Sequence, residues 1–111
     1  AIKKNPEDIE SIEYYLEVIS QKQDFQLLTK KATEFSELYP TQPSYYFYAG
    51  FGYNQLKNFK KAKEFLENGL DFVVENKTSE ANFYKQLIIS CENLNDTAKK
   101  QLYSNKLKQL K

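Results

Sequence analysis

The sequence predicts an all-α chain of paired helices, and three observations carry that reading. Apolar residues recur at spacings of three and four nearly throughout the 111 residues, and no stretch alternates with period two for long. Only three Gly and three Pro interrupt the pattern, and the breaks fall at intervals that suit helical hairpins. The chain also matches itself when it is shifted by 34 residues. Together these predict an α-α superhelix, or solenoid, of three antiparallel hairpins over about residues 6–39, 43–76 and 79–110.

Each element has a local cause. Asn5-Pro6-Glu7-Asp8 sets a capping residue before a Pro at the first helical position and acids in the first turn, so a helix starts there. Gln21 to Gln23 interrupt it, and Asp24 caps a second helix with Phe25, Leu28, Ala32, Phe35 and Leu38 on its apolar stripe. Pro40 and Pro43 bracket a turn, because Pro cannot continue one helix and suits the start of the next. A third helix follows from about Pro43 to Leu56, and Asn58 caps a fourth carrying Phe59, Ala62, Leu66, Gly69, Leu70 and Val73. Thr78 or Ser79 caps a fifth, with Phe83, Tyr84, Leu87, Ile88 and Cys91 inward. Asp96 opens a sixth with Leu102, Tyr103, Leu107 and Leu110 on one side and Lys99, Lys100, Lys106 and Lys108 largely on the other. The six helices are expected to run about 14 to 18 residues each.

The self-comparison fixes the register. A shift of 34 aligns Ile12 with Tyr46, Ile19 with Tyr53, Asp24 with Asn58, Phe25 with Phe59 and Leu38 with Phe72. A second shift, now of 38, aligns Tyr46 with Tyr84, Tyr53 with Cys91, Asn58 with Asp96 and Phe72 with Leu110. Four extra residues are close to one helical turn, which predicts a fourth helix one turn longer.

Composition removes whole classes of chemistry. The chain has no His, Met, Trp or Arg, and one Cys. One Cys closes no intrachain disulfide, and without His there is no metal set of the zinc-finger, haem or iron–sulfur kind and no His-based triad. No metal and no cofactor are expected. At 41% hydrophobic and 15% aromatic the chain has the material for a core, and no run of about 18 apolar residues offers a membrane span. A chain without Met suggests that Ala1 is a processing boundary and that these residues are a segment of a longer chain. The net charge of +1 hides a gradient: five Lys against eight acids in residues 1–40, four of each in 41–76, seven Lys against three acids in 77–111. Such polarity suits a partner at one end, or head-to-tail association.

Residues 43–76 resemble a tetratricopeptide repeat. Tyr46, Ala49-Gly50, Tyr53, Lys57-Asn58-Phe59, Ala62, Leu66 and Gly69 stand where that family has an aromatic, Leu-Gly, Tyr, a Gly-Asp-Tyr turn, Ala, a large apolar residue and Ala. The small Gly50, Ala62 and Gly69 let two helices approach closely. Residues 9–42 and 81–111 look like degenerate copies, as expected for capping or flanking repeats. The resemblance implies a non-catalytic scaffold or adaptor for protein–protein interaction, with a peptide or partner helix held on a concave face lined by the first helix of each hairpin. Carried over by repeat position, that face holds Glu10, Glu13, Glu17 and Ser20; then Ser44, Phe47, Phe51 and Asn54; then Asn82, Lys85, Ile89 and Glu92. Phe47 and Phe51 are expected to anchor an apolar partner group, with Asn54, Lys85 and Ile89 beside them and Glu13 and Glu17 steering a basic partner. The competing reading packs both Phe rings against neighbouring hairpins. Acids at positions 13 and 17 argue against clamping an acidic C-terminal peptide, a known activity of the family. The composition points to a bacterial source, and the resemblance leans toward the cell envelope.

The remaining motifs have structural readings. Gly50-Phe51-Gly52 lies inside a helix, away from the strand–turn–helix context of a phosphate loop. The acid sets Glu10/Glu13/Glu17 and Glu34/Glu37 have the spacing of solvated helix faces, and Cys91 falls on the inward stripe, so no enzyme is expected. The Lys-rich end, with Tyr84 and Tyr103 among the lysines, offers charge to a nucleic acid, but the absence of Arg and the near-neutral total favour a solvated face. The alternative function is a structural spacer that stacks on flanking repeats or on copies of itself.

Overall fold

The structure, a computed structural model, describes residues 6–110, with side chains from residue 9 onward. The cap expected at Asn5 lies outside the described residues. Six helices follow in order: α1 (Pro6–Gln21), α2 (Phe25–Leu38), α3 (Pro43–Gln55), α4 (Phe59–Leu70), α5 (Lys77–Asn93) and α6 (Thr97–Gln109). They are 12 to 17 residues long, and no strand occurs among the described residues. The fold is all-α, as the apolar spacing predicts.

The hairpin turns repeat in atomic detail. Gln23, Lys57 and Asn95 adopt the left-handed conformation, at φ of 62°, 64° and 59°. The next residue donates its N–H five residues back in each case: Asp24 to the Ile19 carbonyl, Asn58 to Tyr53 and Asp96 to Cys91. This closes each first helix in a Schellman motif. The same residue then caps the second helix, with the Asp24, Asn58 and Asp96 side-chain oxygens accepting from the N–H groups of Leu27, Lys61 and Lys99 at 3.2, 3.4 and 3.1 Å. The turns are 34 and 38 residues apart, so the register read from sequence is also the register of the backbone.

The four extra residues sit elsewhere than expected. α4 ends at Leu70, and the turn through 71–76 leads into α5, which starts at Lys77 with Asn76 as its cap instead of Thr78 or Ser79. The Asn76 side chain accepts from the Ser79 N–H at 2.9 Å. In register, Pro43 corresponds to residue 81, so the added turn lies at the start of α5. Asn76, Thr78 and Ser79 can each cap a helix within four residues, and the first of them does so.

Packing follows the hairpin order. Each helix packs on the next, and α3 also touches α1 and α5, whereas the backbones of α2, α4 and α6 keep apart. The first helices therefore form the tighter inner layer, the arrangement of a curved solenoid, with extents of 42 × 30 × 22 Å. Two cores sit on either side of α3: Leu16, Leu28, Ala32, Tyr45 and Ala49 on one, Ala62, Leu66, Phe83, Leu87 and Cys91 on the other. Close approach at the small residues is real. A Cβ at Gly50 would overlap the Leu66 side chain, and one at Gly69 would strike Tyr46 Cβ and stand 2.9 Å from the Phe83 ring. Ala62 is fully buried.

Candidate interaction surface

The aromatic run of α3 distributes its side chains over every side of the helix, because six rings within nine residues exceed one helical face. Tyr45 is fully buried against Phe35 and Tyr39 at 5.8 and 5.9 Å between ring centroids. Its hydroxyl has no hydrogen-bond partner, and burial, then the charge of Glu13, pushes its pKa up to about 12. Tyr46 stacks on Phe72 at 5.7 Å and donates to the Pro40 carbonyl at 2.7 Å. Tyr53 stacks on Phe65, with Lys61 Nζ 5.7 Å above its ring. That leaves Phe47, Tyr48 and Phe51.

Phe47 and Phe51 lie one turn apart with nearly parallel rings, 6.3 Å between centroids and 13° between planes. Each is half-buried, and each is held edge-on by a different neighbour: Phe47 by Phe83 of α5 at 5.4 Å, Phe51 by Phe25 of α2 at 5.9 Å. The pair thus packs against the flanking hairpins and keeps a remainder of exposed surface.

Glu13 and Phe47 meet in a cleft of about 300 Å³ between α1, α3 and the start of α5. Ser44 and Tyr48 share the α3 wall, and Thr78, Ser79 and Asn82 form the α5 wall. The cleft exists because α3 starts late: its Pro43 start leaves the added turn of α5 overhanging Ser44. Glu13 Oε2 accepts from Ser44 Oγ at 2.9 Å and from Gln42 Nε2 at 3.2 Å, which fixes its direction. Burial first, and then the Glu17 and Glu13 charges, raise the Tyr48 hydroxyl, so both carboxylates act on this wall. Glu17 itself is exposed.

The other expected contacts are placed apart from this cleft. Asn54 is 5% exposed, and its amide is committed inside the protein: Nδ2 donates to the Gln86 carbonyl and to Gln86 Oε1, both at 3.0 Å, and Oδ1 accepts from Ser90 Oγ at 2.7 Å. It ties α3 to α5 and presents nothing to the surface. Lys85 lines an adjoining hollow with Lys77, Ala81 and Leu110, which shares Thr78 and Asn82 with the cleft, and Ile89 is 40% exposed further along α5. Sequence reasoning passed over Tyr48, Thr78 and Ser79; the change of period from 34 to 38 is the signal that marks the α5 wall.

A polar hub closes the seam between the second and third hairpins. Glu67 Oε2 accepts from the Tyr103 hydroxyl at 2.7 Å and from Lys99 Nζ at 3.0 Å, while Lys63 stands 3.9 Å from Glu67 and 3.7 Å from Asp96. Burial alone would raise the Glu67 carboxyl; the bonds from Tyr103 and Lys99 and the lysine charges overcome it and hold it below the usual carboxylate value. Cys91 is buried, and desolvation followed by the Asp96 charge raises its thiol.

Among the described residues no group of three His, Cys, Asp or Glu side chains could hold a metal ion, and no helix is long and apolar enough to cross a membrane. No protein-family model matches the chain, and no curated protein or solved structure matches it significantly.

Proposed function

We propose that this chain is a non-catalytic protein–protein interaction module of tetratricopeptide type, which binds a peptide or partner helix on the face formed by α1, α3 and α5. The observation that carries this reading is the cleft joining the Glu13 carboxylate to the half-buried Phe47 ring. Apolar surface set in a rigid helical frame beside a few directed polar groups is the usual form of a recognition hot spot. The exposed Glu17 beside it adds a charge that favours a basic partner.

Selection of binders from a displayed random-peptide library, followed by calorimetry, tests the reading. Phe47→Ala with Phe51→Ala is expected to abolish binding. Both rings also pack, so Asn82→Arg provides the control: it fills the cleft from an exposed position and should block binding while leaving helicity and thermal stability unchanged. A library that yields no binder, or binders indifferent to Asn82→Arg, would sink the proposal.

The spacer reading has its own observation. Tyr14 is 69% and Tyr15 42% exposed on α1, and Leu102 is 44% exposed on α6. If these surfaces stack copies of the chain, sedimentation will depend on concentration; a single species throughout rules that out.

A further inference from the structure

We propose that the cleft between α1, α3 and the first turn of α5 is a pocket for one cationic side chain, an arginine by preference, of the bound peptide; this deepens the interaction reading above and rests on it. At about 300 Å³ the cleft is at the small end of ligand sites, the scale of one side chain rather than a cofactor. Among the described residues that line it Glu13 is the one charged side chain, while Lys77 and Lys85 line the adjoining hollow that shares Thr78 and Asn82. The two groups that bond Glu13, the Ser44 hydroxyl and the Gln42 amide, are neutral donors. They aim the carboxylate, and no Lys forms an ion pair with it among the described residues. Glu17, four residues along the same helix, is likewise without an ion-pair partner among the described residues.

The other walls suit a guanidinium. Phe47 and Tyr48 stand edge to face, 5.8 Å apart at 74°, and both line the cleft, so aromatic surface borders the place a cation would occupy. The α5 wall is uncharged, and Thr78, Ser79 and Asn82 carry side-chain oxygens able to accept the N–H groups that Glu13 does not take. An aliphatic stem would lie along Phe47 while the charged head meets Glu13, the division that long basic side chains favour. The start of α5 would by itself attract an anion, but an anion here would share the cleft with Glu13. The Tyr48 hydroxyl is raised first by burial and then by the Glu17 and Glu13 charges, which places both carboxylates within reach of this wall. The four-residue lengthening of α5 is then a specificity device: it supplies the wall that turns an open groove into a pocket.

Amide-resolved NMR of the whole chain, titrated with N-acetylargininamide, with its neutral isostere N-acetylcitrullinamide and with acetate, tests this directly. Shifts confined to Ser44, Tyr48, Thr78 and Asn82 are expected with the arginine probe alone. Glu13→Gln, which keeps an acceptor for Ser44, should weaken that probe about tenfold or more, as expected for loss of a close charge pair. Asn82→Lys, an exposed change that brings a cation to the cleft, should do the same without touching the Glu13 bonds. Equal shifts with the citrulline probe, a preference for acetate, or an arginine response that survives both variants would each overturn the pocket. Selected peptides that bind but tolerate arginine-to-citrulline replacement would remove the pocket and leave the interaction reading standing. An arginine response without any peptide binder would keep the pocket and remove that reading.

Discussion

The Tyr103 hydroxyl donates to Glu67 Oε2 at 2.7 Å, a bond between side chains 36 residues apart that joins α6 to α4 although their backbones never approach. The third hairpin is therefore fastened to the second partly by this hub. Tyr103→Phe keeps the ring stack on Tyr84 at 6.0 Å and removes only the donor. It should cost about 1.5–3 kcal/mol, the range for a hydrogen bond to a charged group, toward the lower end because Glu67 keeps a second partner in Lys99. Urea unfolding followed by circular dichroism measures it.

The same hub sets a pH dependence. Glu67 has a folded pKa below its ordinary value, so its contribution is fully present above the unfolded carboxylate value of about 4.3 and is lost as pH falls through the folded one. Wild type should exceed Glu67→Gln in melting temperature at pH 7, and the gap should close between about pH 4.5 and the acid limit. A gap that persists unchanged at pH 2.5 would show that the carboxylate is not the source.

Lys57 holds a left-handed backbone, φ 64°, as C′ residue of a Schellman turn, the place where glycine is strain-free. Lys57→Gly should stabilise the chain by about 0.5–1 kcal/mol and Lys57→Val should destabilise it. Asn95→Gly should gain least of the three turn substitutions, because Asn already tolerates this conformation. Chemical denaturation of Gln23→Gly, Lys57→Gly and Asn95→Gly gives the ranking.

The helices and both inter-hairpin registers are legible in the sequence because their causes are local: Asp24, Asn58 and Asp96 cap, and apolar residues recur with the helical period. The start of α5 is not, since Asn76, Thr78 and Ser79 can all cap and only packing chooses among them. The cleft depends on the relative starts of three helices, so Glu13 and Phe47 can be assigned to one face while the Thr78 wall stays unseen. Asn54 has the polarity of a groove residue. What buries it, the Gln86 and Ser90 partners 32 and 36 residues away, is a tertiary fact.

That burial makes Asn54 a stability residue. Asn54→Ala leaves the fully buried Ser90 hydroxyl with only its longer bond to the Gln86 carbonyl at 3.2 Å and takes the donor from Gln86 Oε1, and should cost about 1–3 kcal/mol. A double-mutant cycle with Ser90→Ala should return a coupling of about 1 kcal/mol, since the pair is in direct contact. Additivity within about 0.3 kcal/mol would mean that the two side chains do not share the bond.

Gly69 separates close packing from simple helix propensity by the sign of one measurement. Gly69 lies in the last turns of α4, where Ala would ordinarily stabilise a helix by about 1 kcal/mol. Here a Cβ would strike Tyr46 Cβ, an atom held by the α3 backbone, and come within 2.9 Å of the fully buried Phe83 ring. Neither neighbour is the free end of a flexible side chain, so α3, α4 and α5 would have to part. Gly69→Ala should therefore destabilise, by about 1–3 kcal/mol. A gain in stability would place the three helices further apart than they stand, and the stacked array of hairpins would go with it.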